Sequence, residues 1–258
     1  MLYNHLQEVE KTYSVENIIG IFSVGSHNYG LNTSGSDMDT KCIIVPSLKD
    51  ISLNHKPDSK TLHLPNNEQC DIKDIRAYMD CFTKQNINFM EILFSEYKVV
   101  NSTYEDQWDR LVEAREEIAR MNPSRALQTM LGVARNKKRL YMYMRNDHIE
   151  DKLLGYNPKD LYQFLRIYYF TEAYLKGLPY KECLRPIGEA KDHILAAKNG
   201  NFSSVVAFHT VEKLYEDMYD KVINYCALHD YKEDKKCREL LEDVCYEIMK
   251  ISLLEEIQ

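Results

Sequence analysis

Long apolar runs are absent from this sequence of 258 residues. No stretch approaches the roughly 20 consecutive apolar residues that a membrane-spanning helix requires. The first ten residues also lack the basic segment followed by an apolar core that is typical of a secretory signal. The sequence therefore predicts a cytoplasmic protein without a membrane partner.

Cysteine is present but follows no pattern. The chain has seven cysteines, an odd number, with no C-x-x-C pair and no histidine at a spacing typical of zinc sites. Scattered thiols of this kind are typical of proteins that stay reduced inside the cell. We therefore predict neither a disulfide bond nor a bound zinc ion.

Several catalytic signatures are missing as well. The sequence has no G-x-x-x-x-G-K-[ST] loop, no G-x-G-x-x-G after a strand and no G-x-S-x-G elbow, so P-loop, Rossmann and α/β-hydrolase interpretations have no support. Acidic residues outnumber basic ones and the formal net charge is −7. This balance argues against a protein that coats nucleic acid nonspecifically, but it does not exclude a local basic groove.

The most informative stretch is residues 25–39, which read G-S-H-N-Y-G-L-N-T-S-G-S-D-M-D. The β-branched, apolar segments on either side, Ile18 to Val24 and Lys41 to Val45, each predict a buried strand. Asp37 and Asp39 are two residues apart at the start of the second strand, so we expect both carboxylates on one face of the sheet. Two adjacent carboxylates favour a cation, and oxygen ligands of this kind suit Mg²⁺.

The Gly25-Ser26 pair predicts a phosphate-binding turn just before these acids. Without a Cβ at Gly25, the backbone N–H groups of the turn can approach a phosphate, and the Ser26 hydroxyl adds a donor. A phosphate cradle and a pair of metal-binding acids therefore lie within fifteen residues of each other.

This arrangement resembles the signature of the DNA polymerase β-like nucleotidyltransferase superfamily: G-S, ten residues, then D-x-D, with Ser36 directly before Asp37. The resemblance implies an α+β fold with a small mixed sheet and a C-terminal helical domain. It also implies transfer of a nucleoside monophosphate from a nucleoside triphosphate (NTP) to a hydroxyl, with two Mg²⁺ ions (Mn²⁺ as a substitute) on three acids. Ser36 would orient Asp37 or contact a phosphate.

The third acid of such a site is expected on a strand beside the D-x-D strand, and two residues compete for the position. A hairpin is predicted from Thr61 to Ile72, and within it Asp71 lies between two apolar residues, so its side chain is directed to the opposite face from theirs. Asp74 is the competitor, but a role as a cap or first-turn residue of the helix that follows explains it well enough. We favour Asp71, giving Asp37, Asp39 and Asp71 as the predicted catalytic and metal-binding set.

A second resemblance is to a bacterial and bacteriophage branch of predicted nucleotidyltransferases, through the segment K-Q-N-I-N-F-M-E-I-L-F at residues 84–94. We interpret Asn86, Asn88 and Glu91 of this segment as structural, with contact to a base or a sugar as the alternative. The branch also has a K-x-x-x-H-x-x-R pattern, matched here by Lys159 and Arg166 with glutamine in place of histidine. By this resemblance Lys159 and Arg166 would neutralise triphosphate charge.

From Asn122 onward the pattern is helical, beginning with a helix that runs to about Asn146. We therefore divide the chain into a catalytic domain, residues 1–121, and a helical domain, residues 122–258. A basic stripe at Arg135, Lys138 and Arg139 is either a solvated face or an acceptor-binding one. The acceptor, whether RNA, protein or a small molecule, stays open, as does the oligomeric state. The alternative is a non-catalytic nucleotide-binding or partner-regulated protein of the same fold.

Overall fold

The computed structural model describes residues 2–64, 68–141, 149–229 and 232–257. The chain forms two compact units, one of Met1–Met121 with Glu233–Gln258 and one of Asn122–Lys232. The predicted boundary after residue 121 coincides with the first junction. The structure has a second junction after residue 232, because the last helix packs on helices of the first unit. Two stretches lie outside the described residues: 65–67, which was predicted as a turn, and 142–148, which includes the predicted end of a helix.

A five-stranded mixed sheet forms the centre of the first unit. Its strands, in chain order, are β1 (Ile18–Val24), β2 (Asp39–Ile44), β3 (Ser59–His63), β4 (Gln69–Asp74) and β5 (Lys98–Val100). Their spatial order is β3-β4-β2-β1-β5. Strands β2 and β4 run parallel, and the other neighbouring pairs are antiparallel. The mixed sheet and the helical remainder confirm the predicted α+β class.

The two faces of the sheet have different chemistry, because alternate side chains of a strand point to opposite faces. One face has an apolar core that includes Ile21, Cys42 and Ile72, with Val9 of the first helix buried against it. The opposite face, on which Asp39, Lys41 and Asp71 lie, is called the site face below. On it the apolar residues sit toward β1, where the Phe22 and Trp108 rings pack with centroids 4.4 Å apart.

Eight α-helices and three 3₁₀ turns, Val15–Asn17, Glu91–Phe94 and Ser102–Tyr104, accompany the sheet in the described part of the first unit. The α-helices are α1 (Leu2–Glu10), α2 (Ser26–Tyr29), α3 (Leu48–Ser52), α4 (Ile75–Thr83), α5 (Ile87–Met90), α6 (Glu105–Glu113), α7 (Arg115–Ala119) and, at the far end of the chain, α14 (Lys235–Ile257). Helix α14 buries Leu241, Val244 and Ile248 at helical spacing and packs against α4 and α6. An ion pair of 2.5 Å between Arg110 and Glu247 borders this packing.

The second unit is helical throughout its described residues. Its helices are α8 (Pro123–Leu140), α9 (Ile149–Leu154), α10 (Pro158–Leu175), α11 (Tyr180–Leu184), α12 (Gly188–Lys198) and α13 (Ser204–Leu228). Helix α10 packs against α8, α12 and α13 and for that reason is buried on most of its circumference. In the described parts of both units, no helix combines the length and apolar character needed to cross a bilayer.

Candidate active site

The turn that leaves β1 requires glycine. Gly25 has φ of 70° and ψ of −146°, a region that essentially only glycine adopts without strain. A Cβ built on Gly25 would lie 3.5 Å from Oδ2 of Asp39. The turn and the Asp39 carboxylate are therefore neighbours in space, as β1 pairs with β2 through Val24 and Asp39.

The two acids of the D-x-D motif occupy different kinds of backbone. Asp39 is the first residue of β2, whereas Asp37 lies in the loop before it, and both side chains are exposed. The strict alternation of a strand therefore applies to Asp39 and not to Asp37, because β2 begins at Asp39 and does not extend back to Asp37. The side chain of Asp37 is positioned by the loop.

The loop before β2 is held by Ser36. Its hydroxyl accepts a hydrogen bond from the backbone N–H of Thr33 at 2.8 Å, and its own N–H donates to the Thr33 carbonyl at 3.0 Å. Ring nitrogen Nε2 of His27, in α2, lies 3.4 Å from the Ser36 carbonyl oxygen. Ser36 thus closes the turn that presents Asp37, while its predicted contact with phosphate remains a prediction.

Asp71 lies on the site face, one strand away from Asp39. In the parallel register of β2 and β4 it is paired with Lys41, which is two residues beyond Asp39 and therefore on the same face. The Thr61 hydroxyl of the edge strand β3 donates to Oδ1 of Asp71 at 2.6 Å. The half-buried carboxylate is thereby oriented from the side opposite to Asp39.

Asp74, the competitor for the third position, has a structural role. It is the N-cap of α4 and accepts the backbone N–H of Arg76 at 2.8 Å. The guanidinium of Arg76 pairs with the same carboxylate at 2.5 Å, and Asp74 is buried. Both oxygens of Asp74 are thus occupied by the start of the helix. Its placement agrees with the cap interpretation.

The three predicted acids are compatible with Mg²⁺ in their chemistry. Asp37, Asp39 and Asp71 offer hard carboxylate oxygens, and Mg²⁺ typically takes one or two carboxylates together with waters and substrate phosphates. In the described part of the chain, no three histidine, cysteine or acidic side chains already converge closely enough to hold a metal ion. A site of this composition would be completed by the phosphates of a substrate.

A buried ion pair beneath the turn contains a residue that the sequence analysis did not single out. Lys41 of β2 and Glu91, at the start of the 3₁₀ turn Glu91–Phe94, are 2.8 Å apart and both are buried. The other carboxylate oxygen of Glu91 accepts the N–H of Gly25 at 3.3 Å. Glu91 is structural, as predicted, whereas Lys41 was missed because a lysine in a strand normally points to solvent.

The cysteine thiols behind the site face have raised pKa values. Burial raises the pKa of the Cys70 thiol to about 11 and holds the pKa of the Cys42 thiol well above its usual range. Both lie in the apolar core on the opposite side of the sheet. All seven cysteines fall among the described residues and all are free thiols.

The two basic residues predicted to contact triphosphate belong to the second unit. Lys159 is exposed at the start of α10, and Arg166 is buried two turns later. Nε of Arg166 donates to Oε1 of Gln163 at 3.0 Å, so the glutamine that replaces the expected histidine is in direct contact with the arginine. Their role as triphosphate ligands remains a prediction.

The basic stripe of α8 is partly neutralised within the same unit. Lys138 forms an ion pair with Glu212 of α13, and Nε of Arg135 donates to the Tyr215 hydroxyl at 3.1 Å. Arg139 donates to Asn136 on its own helix at 3.2 Å. Two of the three side chains thus contact α13, which favours a packing role for much of this stripe.

Comparison with known proteins gives one family. Residues 1–170, about two thirds of the chain, match the model of the RNA repair pathway DNA polymerase beta family. None of the curated proteins compared with the chain matches it. Among solved structures, a nucleotidyltransferase-like protein from Exiguobacterium sibiricum is similar at 10% identity and a TM-score of 0.32, covering 99% of this chain and 77% of that one. The match to the family model spans the whole site face and extends through Arg166.

Proposed function

The chain belongs to the RNA repair pathway DNA polymerase beta family, and from this membership we propose that it is a metal-dependent nucleotidyltransferase that acts on RNA. It would transfer a nucleoside monophosphate from an NTP to an RNA hydroxyl and release pyrophosphate. The family description, which names RNA repair, favours RNA over the other acceptors that the sequence left open.

One observation carries the proposal. The turn at Gly25 has a backbone conformation that favours glycine, and it lies against the Asp39 carboxylate. A Cβ added at Gly25 would be 3.5 Å from Oδ2 of Asp39. Asp71 is on the same face of the adjacent parallel strand. The turn is thus beside one acid on the face that also bears the other, which supports a reaction that depends on positioning and on neutralisation of phosphate charge.

Backbone and side-chain groups of the first unit would have distinct roles in the reaction. Because the N–H of Gly25 is engaged by Glu91, phosphate donors in the turn would come from Ser26, through its hydroxyl and its N–H. Asp71 would accept the proton of the attacking hydroxyl. The bond from the acceptor oxygen to the α-phosphorus forms as the bond from that phosphorus to the pyrophosphate oxygen breaks.

Asp37, Asp39 and Asp71 would hold the Mg²⁺ ions, which supply neutralisation of phosphate charge and a lower pKa for the attacking hydroxyl. Lys159 and Arg166 would add positive charge toward the triphosphate, the arginine in bidentate fashion. Gln163, which contacts Arg166, would then set the orientation of the guanidinium, at the position where the K-x-x-x-H-x-x-R pattern has histidine.

A second acceptor class, a protein or a small molecule, is favoured by one specific observation. Lys138 of the basic stripe is paired with Glu212, which removes part of the positive surface that an RNA backbone would use, and the net charge of the chain is −7. A non-catalytic binding protein is less well supported, because all three acids are present.

The test measures transfer of label from each of four α-³²P-labelled NTPs, with Mg²⁺ or Mn²⁺, to RNA with defined ends, and in parallel to protein and small-molecule fractions. The variants are Asp37→Ala/Asp39→Ala and, as a matched control, Asp109→Asn, an exposed acid on α6. We expect label in RNA with wild type and the control, and none with the double variant. Label confined to another fraction would refute RNA as the acceptor, and transfer by the double variant would refute the role of the two acids.

A further inference from the structure

The buried ion pair between Lys41 and Glu91 is the most unusual electrostatic feature of the first unit. Lys41 is 6% exposed and Glu91 is 2% exposed, and their charged atoms are 2.8 Å apart. Withdrawing two charges from water is so unfavourable that such pairs can often be replaced by apolar residues without loss of stability. A contribution to stability is therefore a weak reason for the pair to be here.

The pair is connected to α5 and to the first residue of the 3₁₀ turn that follows it. The ammonium of Lys41 also donates to the backbone carbonyl of Asn88 and lies 5.1 Å from the centre of the Phe89 ring. The backbone carbonyl of Glu91 accepts from the side chain of Asn28, in α2, at 3.2 Å. The segment from Asn88 to Glu91 is thus attached both to β2 and to the helix that begins at Ser26.

The carboxylate of Glu91 reaches the turn itself. One oxygen accepts from Lys41, and the other accepts the N–H of Gly25 at 3.3 Å. That N–H belongs to the residue with the glycine-only conformation, next to the Asp39 carboxylate. Lys41 is two residues from Asp39 on the same strand and face. The ion pair therefore connects the Gly25 turn, through Glu91, to strand β2, which contains Lys41 and Asp39.

We propose that Lys41 and Glu91 are positioning residues that fix the Gly25-Ser26 turn against Asp39. The carboxylate of Glu91 holds the Gly25 peptide in one orientation, and Lys41 keeps that carboxylate in place through the 2.8 Å contact. The consequence for catalysis rests on the proposed function: an NTP would meet the Ser26 donors and the Asp39 carboxylate at a fixed separation.

The test compares two double variants, Lys41→Met/Glu91→Gln and Lys41→Met/Glu91→Met. Both remove the two buried charges, so neither leaves an unpaired ion, which is the change that unfolds proteins most readily. They differ in one property: the glutamine oxygen can accept the N–H of Gly25, and the methionine cannot. Urea unfolding first establishes that the two variants are equally stable.

Two measurements then follow on the full chain. The first is hydrogen–deuterium exchange of peptides that cover residues 22–30, which reports on the turn whether or not the protein transfers nucleotides. We expect exchange about tenfold faster in the methionine variant than in the glutamine variant, because the Gly25 N–H has lost its acceptor. The second is the kinetics of NTP transfer, in which we expect kcat to fall about tenfold with KM for RNA unchanged.

Each outcome decides the inference. Equal exchange in the two variants would overturn it, and so would faster exchange in the methionine variant with identical kinetics. If the wild-type protein transfers no nucleotide at all, the proposed function fails, while the exchange measurement still supports or overturns the role of Glu91 in holding the turn. If Lys41 and Glu91 had a purely structural role, the two equally stable variants would give the same exchange rates and the same kinetics.

Discussion

Replacing Asp71 and Asp74 separately by alanine should produce opposite effects on stability and activity. Asp74 caps α4 through a bond of 2.8 Å to the Arg76 N–H, and losing such a cap costs about 1 kcal/mol. The side chain of Arg76, which is 22% exposed, then loses its carboxylate partner, for about 1–3 kcal/mol more. We therefore expect Asp74→Ala to lower the free energy of unfolding by about 2–4 kcal/mol.

Asp71 has fewer structural partners. It accepts one hydrogen bond from Thr61, at 2.6 Å on the edge of the sheet, so its removal should cost about 1 kcal/mol or less. If Asp71 accepts the proton of the attacking hydroxyl, Asp71→Ala should nevertheless lower kcat by about 10²–10⁴-fold. The less destabilised variant is thus expected to be the inactive one.

The assay is urea unfolding of both variants, followed by NTP transfer normalised to the folded fraction. Asp74→Ala should then show near wild-type turnover for each folded molecule. The reasoning is refuted if normalised Asp74→Ala is as inactive as Asp71→Ala. It is also refuted if Asp71→Ala retains more than about a tenth of wild-type kcat, because a proton acceptor is worth more than that.

Two further expectations concern stability. Gly25→Ala should cost about 1–3 kcal/mol of unfolding free energy from backbone strain alone, because the 3.5 Å contact with Asp39 is ordinary. The control is Gly132→Ala, in the interior of α8 with no neighbour within 4 Å, which should gain up to about 1 kcal/mol. Equal effects of the two substitutions in urea unfolding would contradict the conformation assigned to Gly25. Burial raises the pKa of Cys70 from 9.0 to about 11, so the contribution of this thiol to stability is complete below about pH 9 and is lost as the pH rises toward 11. Cys70→Ala should therefore lose less unfolding free energy than wild type between about pH 9 and 11. Equal losses in the two proteins would argue against the raised pKa.

The site was predictable where a local rule determines the geometry. Gly25 was identified from its place after a strand, and the structure gives it a glycine-only conformation next to Asp39. The hairpin that contains Asp71 was also predicted, and β3 and β4 form it. The cap interpretation of Asp74 agrees with the structure because capping depends on residues adjacent in sequence.

Other features depend on contacts that no local pattern specifies. The burial of Lys41 results from Glu91, fifty residues later in the chain, and a single sequence does not reveal such a pairing. Helix α14 has an apolar stripe. Such a stripe predicts that one face of the helix is buried, but not which element packs against it. For this reason the single boundary at residue 121 missed the return of the chain to the first unit.

That return has a consequence for synthesis on the ribosome. The first unit is interrupted by residues 122–232, so translation must pass through the whole second unit before α14 is available. Chains emerge N-terminus first, and partly folded domains expose apolar surface while they wait. Until α14 is made, the surfaces of α4 and α6 that it covers are open to solvent. The nascent first unit therefore depends on its own distant C-terminal segment for completion, and a chain stalled in the second unit presents surface that chaperones or proteases recognise.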